Sequence, residues 1–253
     1  MTEGLQLVGD RTGLVIGDCL PKLRFFCEHD AYPVYDVAGY RHASEPDRFH
    51  ADLLRATNRA MRARSPWKAW APFLETPIPE LAQLSVDTDL VACTDDEYAS
   101  ARVALERCYR LLTAAKWITD MSASKMLYLK RPQLVAISDS YVREALAVPE
   151  PDPARHPWRV EYCTTRALRV SDAVRAVGLH NAELLGRLQS AMADTVGRIA
   201  TTYQTPMSLS KARIIDILVW VDAAIAAGHQ TWNPRADEGG WESVVLDIRA
   251  SRT

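Results

Sequence analysis

No two cysteines of this chain stand in a Cys-x-x-Cys spacing, and their number, five, is odd. Cys19, Cys27, Cys93, Cys108 and Cys163 therefore outline neither a disulfide framework nor a zinc site, and they fit a reducing, cytoplasmic setting. The six histidines are scattered without metal-ligand spacing. The short step from Cys27 to His29 is too isolated to change that, so neither a metal nor another cofactor is expected. No apolar run is long enough to span a bilayer, and the N-terminus lacks a basic stretch followed by a long apolar core, so no membrane partner is expected. A Gly-rich phosphate loop, a nucleophile elbow and an HExxH helix are also missing, which removes the support for nucleotide hydrolysis, serine hydrolysis and zinc proteolysis. Repeats and low-complexity segments are absent. With a formal net charge of only -2, the chain has no general attraction to polyanions. A nucleic-acid face would have to be a segregated patch.

What is present is an ordinary globular composition, 48% apolar and 25% charged over 253 residues, enough to bury a full core. Residues 5 to 40 lean toward extended structure: "LQLVG" and "TGLVIG" are short glycine-bounded apolar runs, and "YPVYDVAGY" is aromatic and turn-rich. Two or three short strands or loops are predicted there. The periodicity then changes to helical. In "DRFHADLLRATNRAMRAR", Phe49, Leu53, Leu54, Thr57, Ala60 and Met61 share one face. The stretch "SPWKAWAPFLETPIPEL" holds four prolines and two tryptophans and is predicted to be a packed connection with short helices at most. "TDDEYASARVALERCYRLLTAA" opens with a capping box from Thr94 to Glu97 and carries the stripe Tyr98, Ala101, Leu105, Cys108, Leu111 and Leu112.

After the proline-rich break "VPEPDPARHP", three long helical patterns follow, at residues 158 to 177, 181 to 203 and 208 to 227. The first ends at Gly178 and the last at Gly228, and Asn181 is placed to cap the second. The tail contains "SVVLDI", a candidate terminal strand. The expected fold is mainly α. An extended N-terminal segment, residues 1 to 45, packs on a helical domain, 46 to 228, with a hairpin-like element at 110 to 131 and a tail at 229 to 253.

The densest chemistry lies in "SASKMLYLKRPQLVAISDSYV", residues 122 to 142. A helix ends near Ala115, a turn spans Lys116 to Met121, and a second helix stops before Pro132. An apolar run and then Asp139 follow. This order resembles the helix-hairpin-helix DNA glycosylase superfamily, in which the hairpin grips a DNA backbone and an aspartate past the second helix sits in the cleft. The same run, with "YDVAGYRHASEPDRFHADLLRATNRAM" and "SKARIIDILVWV", is more closely similar to an uncharacterised, mainly actinobacterial family, domain of unknown function 6308, over residues 35 to 222. The glycosylase likeness implies a mostly helical DNA-binding hydrolase of repair or defence, a monofunctional N-glycosidase in which Asp139 stabilises the sugar cation or activates water. For that chemistry the neighbouring Lys116, Lys125, Lys130 and Arg131 are candidate phosphate contacts and Trp117, Tyr128 and Tyr141 candidate base-stacking residues, with Tyr35 and Asp36 as further pocket candidates; Asp36 matches an acid common in the domain of unknown function 6308 family. The turn "KWITDM" has no glycine where the superfamily shows Gly-x-Gly. Met121 stands where bifunctional members carry the nucleophilic lysine, and Lys125 lies one turn too late, so lyase activity is not expected.

Each of these residues also has a plain structural reading. Asp139 suits the N-cap of a short helix, Lys130 and Arg131 suit a helix C-terminus, and Tyr35, Asp36 and Tyr40 suit a packed turn. Asp216, an acid amid "IIDILVW", calls for a buried partner such as Arg213, and Trp220 reads as core. Two other functions stay open: a DNA-binding module without chemistry, and a helical-bundle protein of specialised metabolism or interaction with no nucleic-acid partner.

Overall fold

The computed structural model describes residues 4–8, 13–29, 32–61, 65–152 and 159–228. Within them the chain is mainly helical. A two-stranded antiparallel ribbon, β1 (Leu5–Gln6) and β2 (Val15–Ile16), pairs Leu5 with Ile16 and Gln6 with Val15. Eleven helices follow among the described residues: α1 (Cys19–His29), α2 (Tyr32–Arg41), α3 (Ala51–Ala60), α4 (Trp67–Trp70), α5 (Pro79–Ala82), α6 (Asp95–Ala114), α7 (Asp120–Lys130), α8 (Ser140–Ala145), α9 (Arg159–His180), α10 (Ala182–Thr202) and α11 (Lys211–Ala226). None is long and apolar enough to cross a membrane.

The ribbon agrees with the extended reading of the N-terminal segment, but α1 and α2 correct the rest of it. "YPVYDVAGY" is helical although tyrosine, valine and glycine are poor helix formers. Tertiary packing overrides propensity there. Tyr35, Val37 and Ala38 are buried, and α2 lies against α3 and α7. At Gly39 the approach is so close that a Cβ would stand 2.5 Å from the Leu129 carbonyl oxygen.

Helix α6 begins at the expected capping box: Thr94 N–H donates to Glu97 Oε2 at 2.8 Å and Glu97 N–H to Thr94 Oγ1 at 3.3 Å. Its apolar stripe packs along α9. Helix α3 is shorter than its sequence pattern, because Phe49 sits in a bridge with Leu74 before the helix starts. The proline-rich connection holds only the short α4 and α5, as expected. Gly178 does not end α9. The helix runs on to His180, and Gly178 instead makes room for Val91, whose methyl would stand 2.4 Å from a Cβ there. Asn181 holds the N-cap position of α10 without capping it. Its side chain instead bonds the backbone N–H and carbonyl of Gln6, stitching the ribbon to the bundle. The candidate strand "SVVLDI" lies outside the described residues.

Helix α11 is the central element, with Ile214, Ile215, Ile217, Leu218, Val219 and Val221 all buried and α1, α8, α9 and α10 packed around it. Ser210 caps it by accepting from Arg213 N–H at 3.0 Å. Buried among these apolar neighbours are Arg213 and Asp216.

Candidate active site

The segment from Leu134 to Ser138 runs buried between α7 and α8. Side chains of α7 hold it: Ser138 N–H donates to Ser124 Oγ at 2.9 Å, and Ser138 Oγ donates to Asp120 Oδ2 at 2.6 Å. Asp120 itself is ion-paired to Arg166, whose Nη2 lies 2.5 Å from Oδ1. Sequence reasoning passed over this acid, because its partner arginine lies 46 residues further on. The clasp fixes where the chain emerges, and the first residue to emerge is Asp139.

Asp139 is the N-cap of α8. Its Oδ1 accepts from Tyr141 N–H at 3.1 Å, and its Oδ2 lies 3.3 Å from Lys125 Nζ. The Lys125 side chain is 3% exposed and that of Asp139 is 15% exposed. The lysine therefore holds from within an acid whose side chain is mostly, but not fully, buried. Lys125 Nζ also donates to the Met61 carbonyl at 3.1 Å.

Behind this pair lies a second buried ionic group. Arg213 pairs with Asp216 through Nη1 and with Asp36 through Nη2, the latter at 3.1 Å. Its guanidinium sits in an aromatic box, 5.4 Å from the Phe26 ring centre, 5.6 Å from Tyr35 and 5.2 Å from Tyr128, a cation–π arrangement strengthened by desolvation. Tyr35 and Tyr128 stack at 5.7 Å. Tyr128 donates to Asp36 Oδ1 at 2.8 Å, and Tyr35 to the Lys125 carbonyl at 2.6 Å. Three carboxylates, Asp36, Asp139 and Asp216, thus face two cations, Lys125 and Arg213. Burial pushes the Asp216 carboxyl up to about 6; the charge of Asp139 adds to the rise while Arg213 and Lys125 oppose it.

This geometry sorts the residues singled out in the sequence. Asp139 and Lys125 come together. Asp216 pairs with Arg213, as its apolar setting demanded. Tyr35, Tyr128 and Asp36 are a correction: they are buried, and the platform they build is filled by the chain's own Arg213, so no base can stack on it. Lys130 and Arg131 are a second correction. Lys130 Nζ donates to the His42 carbonyl at 3.0 Å, and burial, reinforced by Arg131, lowers its ammonium to about 8. Arg131 is 2% exposed and clasps carbonyls, with Nε on Leu84 at 2.6 Å, Nη1 on Pro46 at 2.8 Å and Nη2 on Leu81 at 2.6 Å. These donors are spent on loop backbone, not on phosphate.

Lys116 and Trp117 are outside, at the tip of the turn between α6 and α7. Trp117 is 54% exposed, its φ is +78°, and Lys116 Nζ lies 4.9 Å from its ring centre. A tryptophan thus takes the left-handed conformation usually left to glycine. The first amides of α7 are occupied by a Thr119–Ser122 capping box with the buried Asp120 beside it, which disfavours a phosphate at that helix end. Tyr141 is half-buried, edge-on to Trp220 at 6.2 Å. With Glu144 it lines a cleft of about 420 Å³ between the ribbon, α8 and α11.

No curated protein and no solved structure matches the chain. The model of one family, described as a family of unknown function (DUF6308), matches residues 28–223, a span that contains α2, α7, Asp139 and nearly all of α11. By that match the chain belongs to DUF6308.

Proposed function

We propose that the protein hydrolyses an N-glycosidic bond in DNA, as a monofunctional, base-excising glycosylase does, with Asp139 as the carboxylate that meets the sugar. The observation that carries this reading is the Lys125–Asp139 pair, a buried ammonium that holds a partly open carboxylate at 3.3 Å. Departure of a base leaves positive charge on the sugar, and a fixed negative group beside the anomeric carbon stabilises it. The C–N bond breaks and the base nitrogen takes a proton from solvent, while water forms the new C–O bond and gives up a proton to Asp139, so that free base and a sugar hydroxyl result. Asp216 is a carboxyl that keeps its proton up to about 6 and is electrostatically coupled to Asp139. Lys125 is committed to Asp139 and to the Met61 carbonyl, which favours hydrolysis over Schiff-base lyase chemistry. The test is release of free base from a panel of damaged and modified duplex and single-stranded DNA, which this reading expects for at least one substrate.

A second reading, a nucleic-acid-binding module without chemistry, is favoured by the hairpin tip. There Lys116 and Trp117 are displayed outward while Lys125, Lys130 and Arg131 turn inward. It predicts salt-dependent DNA binding without release of any base.

A further inference from the structure

We infer that His42, Glu45 and His50 form a binding site for one divalent transition-metal ion, at the turn that joins α2 to α3. One ring nitrogen from each histidine and one carboxylate oxygen of Glu45 all lie within 4.8 Å of one another. Nitrogen and oxygen ligands around a tetrahedral zinc-sized ion stand about 3.3 Å apart, given metal–ligand distances near 2.0–2.2 Å. Small side-chain rotations close the set, chiefly by the half-exposed Glu45. The two imidazoles now stack at 3.8 Å with 15° between their planes, so metal binding splays the rings until their lone pairs converge.

The decisive feature is His50. Its Nδ1 is 2.9 Å from Glu75 Oε2; in the neutral tautomer that donates to Glu75, the lone pair stands on Nε2. That Nε2 is buried, has no hydrogen-bond partner, and faces Glu45 Oε1 at 3.8 Å. In that tautomer these are two acceptors between which a cation fits, whereas a doubly protonated ring pairs with Glu45 directly; the metal titration separates the two. His42 is braced in the same manner, with its Nε2 2.9 Å from both oxygens of Asp52. A carboxylate behind each histidine is the arrangement that orients imidazole toward a metal and raises its basicity. Glu75 reaches His50 from a left-handed backbone, with φ +60°, and its other oxygen accepts from Ala51 N–H at 2.8 Å. That unfavourable backbone is held in place by these bonds.

Charge agrees. Glu45, Asp52 and Glu75 surround two imidazoles. Of the nearby cations, Arg48 takes the other Glu45 oxygen at 3.2 Å, and Lys130 is committed to the His42 carbonyl. A dication meets the remaining negative charge, and imidazole donors select the zinc class over magnesium or calcium. His42 also lines a cleft of about 440 Å³ that includes Pro46 and Lys130, a path by which the ion and a further ligand enter. The proposed metal ligands are distinct from Lys125 and Asp139, so this inference stands or falls apart from the N-glycosidase reading.

The test is titration of tag-free, chelator-stripped full-length protein with zinc chloride by calorimetry, together with the visible spectrum of the cobalt(II) form. One ion per chain is expected. Glu45→Gln and His42→Gln should each weaken affinity by at least about tenfold, with melting curves confirming that both variants fold. The cobalt spectrum should lack the near-ultraviolet thiolate band that binding by the cysteines would give. Absence of binding below about 100 µM zinc, an affinity unchanged in both variants, or a thiolate band would each overturn the site.

Discussion

Lys125 Nζ and Asp139 Oδ2 meet at 3.3 Å, joining the middle of α7 to the first turn of α8 across the buried Leu134–Ser138 segment. Among the described residues the buried lysine bonds, besides Asp139, only the neutral Met61 carbonyl, and desolvating an ammonium is costly without a countercharge. Lys125→Met keeps the bulk and removes the charge. It should cost roughly 2–3 kcal/mol in denaturant unfolding, below the 3–5 kcal/mol of a fully buried pair because Asp139 is partly exposed, and it should slow base release. A variant as stable and as active as the parent would show that the pair contributes nothing.

Asp216 sets a pH signature. Its folded carboxyl is pushed up to about 6, above the usual 3.8. Between these values the folded state holds a proton that the unfolded state has lost, so this contribution to stability falls as pH rises from about 4 to about 6. Asp216→Asn removes the term. The stability difference between parent and variant should therefore change across that window in the sense that the parent loses more on going from pH 4 to pH 6, by no more than about 3 kcal/mol. Parallel pH profiles from chemical denaturation would contradict the assignment.

Trp117 pays a conformational cost at the surface, since its φ of +78° suits glycine. Trp117→Gly should leave stability unchanged or raise it by up to about 1 kcal/mol. If the exposed ring stacks on bases, the same change should weaken DNA binding by about 1–3 kcal/mol, five- to more than a hundredfold. Unchanged DNA affinity, measured by fluorescence anisotropy at low salt, would remove the hairpin tip from the interface.

Asp120 is a structural keystone. It is fully buried, paired with Arg166 at 2.5 Å and bonded by Ser138 Oγ at 2.6 Å. Asp120→Ala strands the arginine and frees the segment that delivers Asp139. A loss of about 3–5 kcal/mol is expected in urea unfolding; a loss under about 1 kcal/mol would show that the segment is held by packing alone.

Local chemistry was legible in the sequence and long-range chemistry was not. The Thr94–Glu97 box, the Asp139 cap and the Arg213–Asp216 pair each lie within three residues, where spacing alone specifies the contact. Helix α2 reads as extended in the sequence because Tyr35, Val37 and Gly39 have poor helix propensity, whereas the α3 and α7 surfaces it packs on, with Gly39 against the Leu129 backbone, lie further along the chain. Arg131 looked like part of a cationic patch because Leu81, Leu84 and Pro46, which supply its carbonyl partners, cannot be seen from its neighbours. The same blindness hid the Tyr35–Tyr128 stack and the convergence of His42, Glu45 and His50, whose spacing follows no helical metal motif.

The most direct test of the central claim is single-turnover base release by the parent and by Asp139→Asn. Asparagine caps a helix as well as aspartate does but leaves the buried Lys125 without its countercharge, so melting curves accompany the assay and the rates are compared at a temperature where both proteins are folded. The parent should liberate a free base from at least one DNA substrate, and the variant should do so at least about a hundredfold more slowly. Equal rates in the two proteins, or no release by the parent from any substrate, would contradict a carboxylate built to meet a sugar.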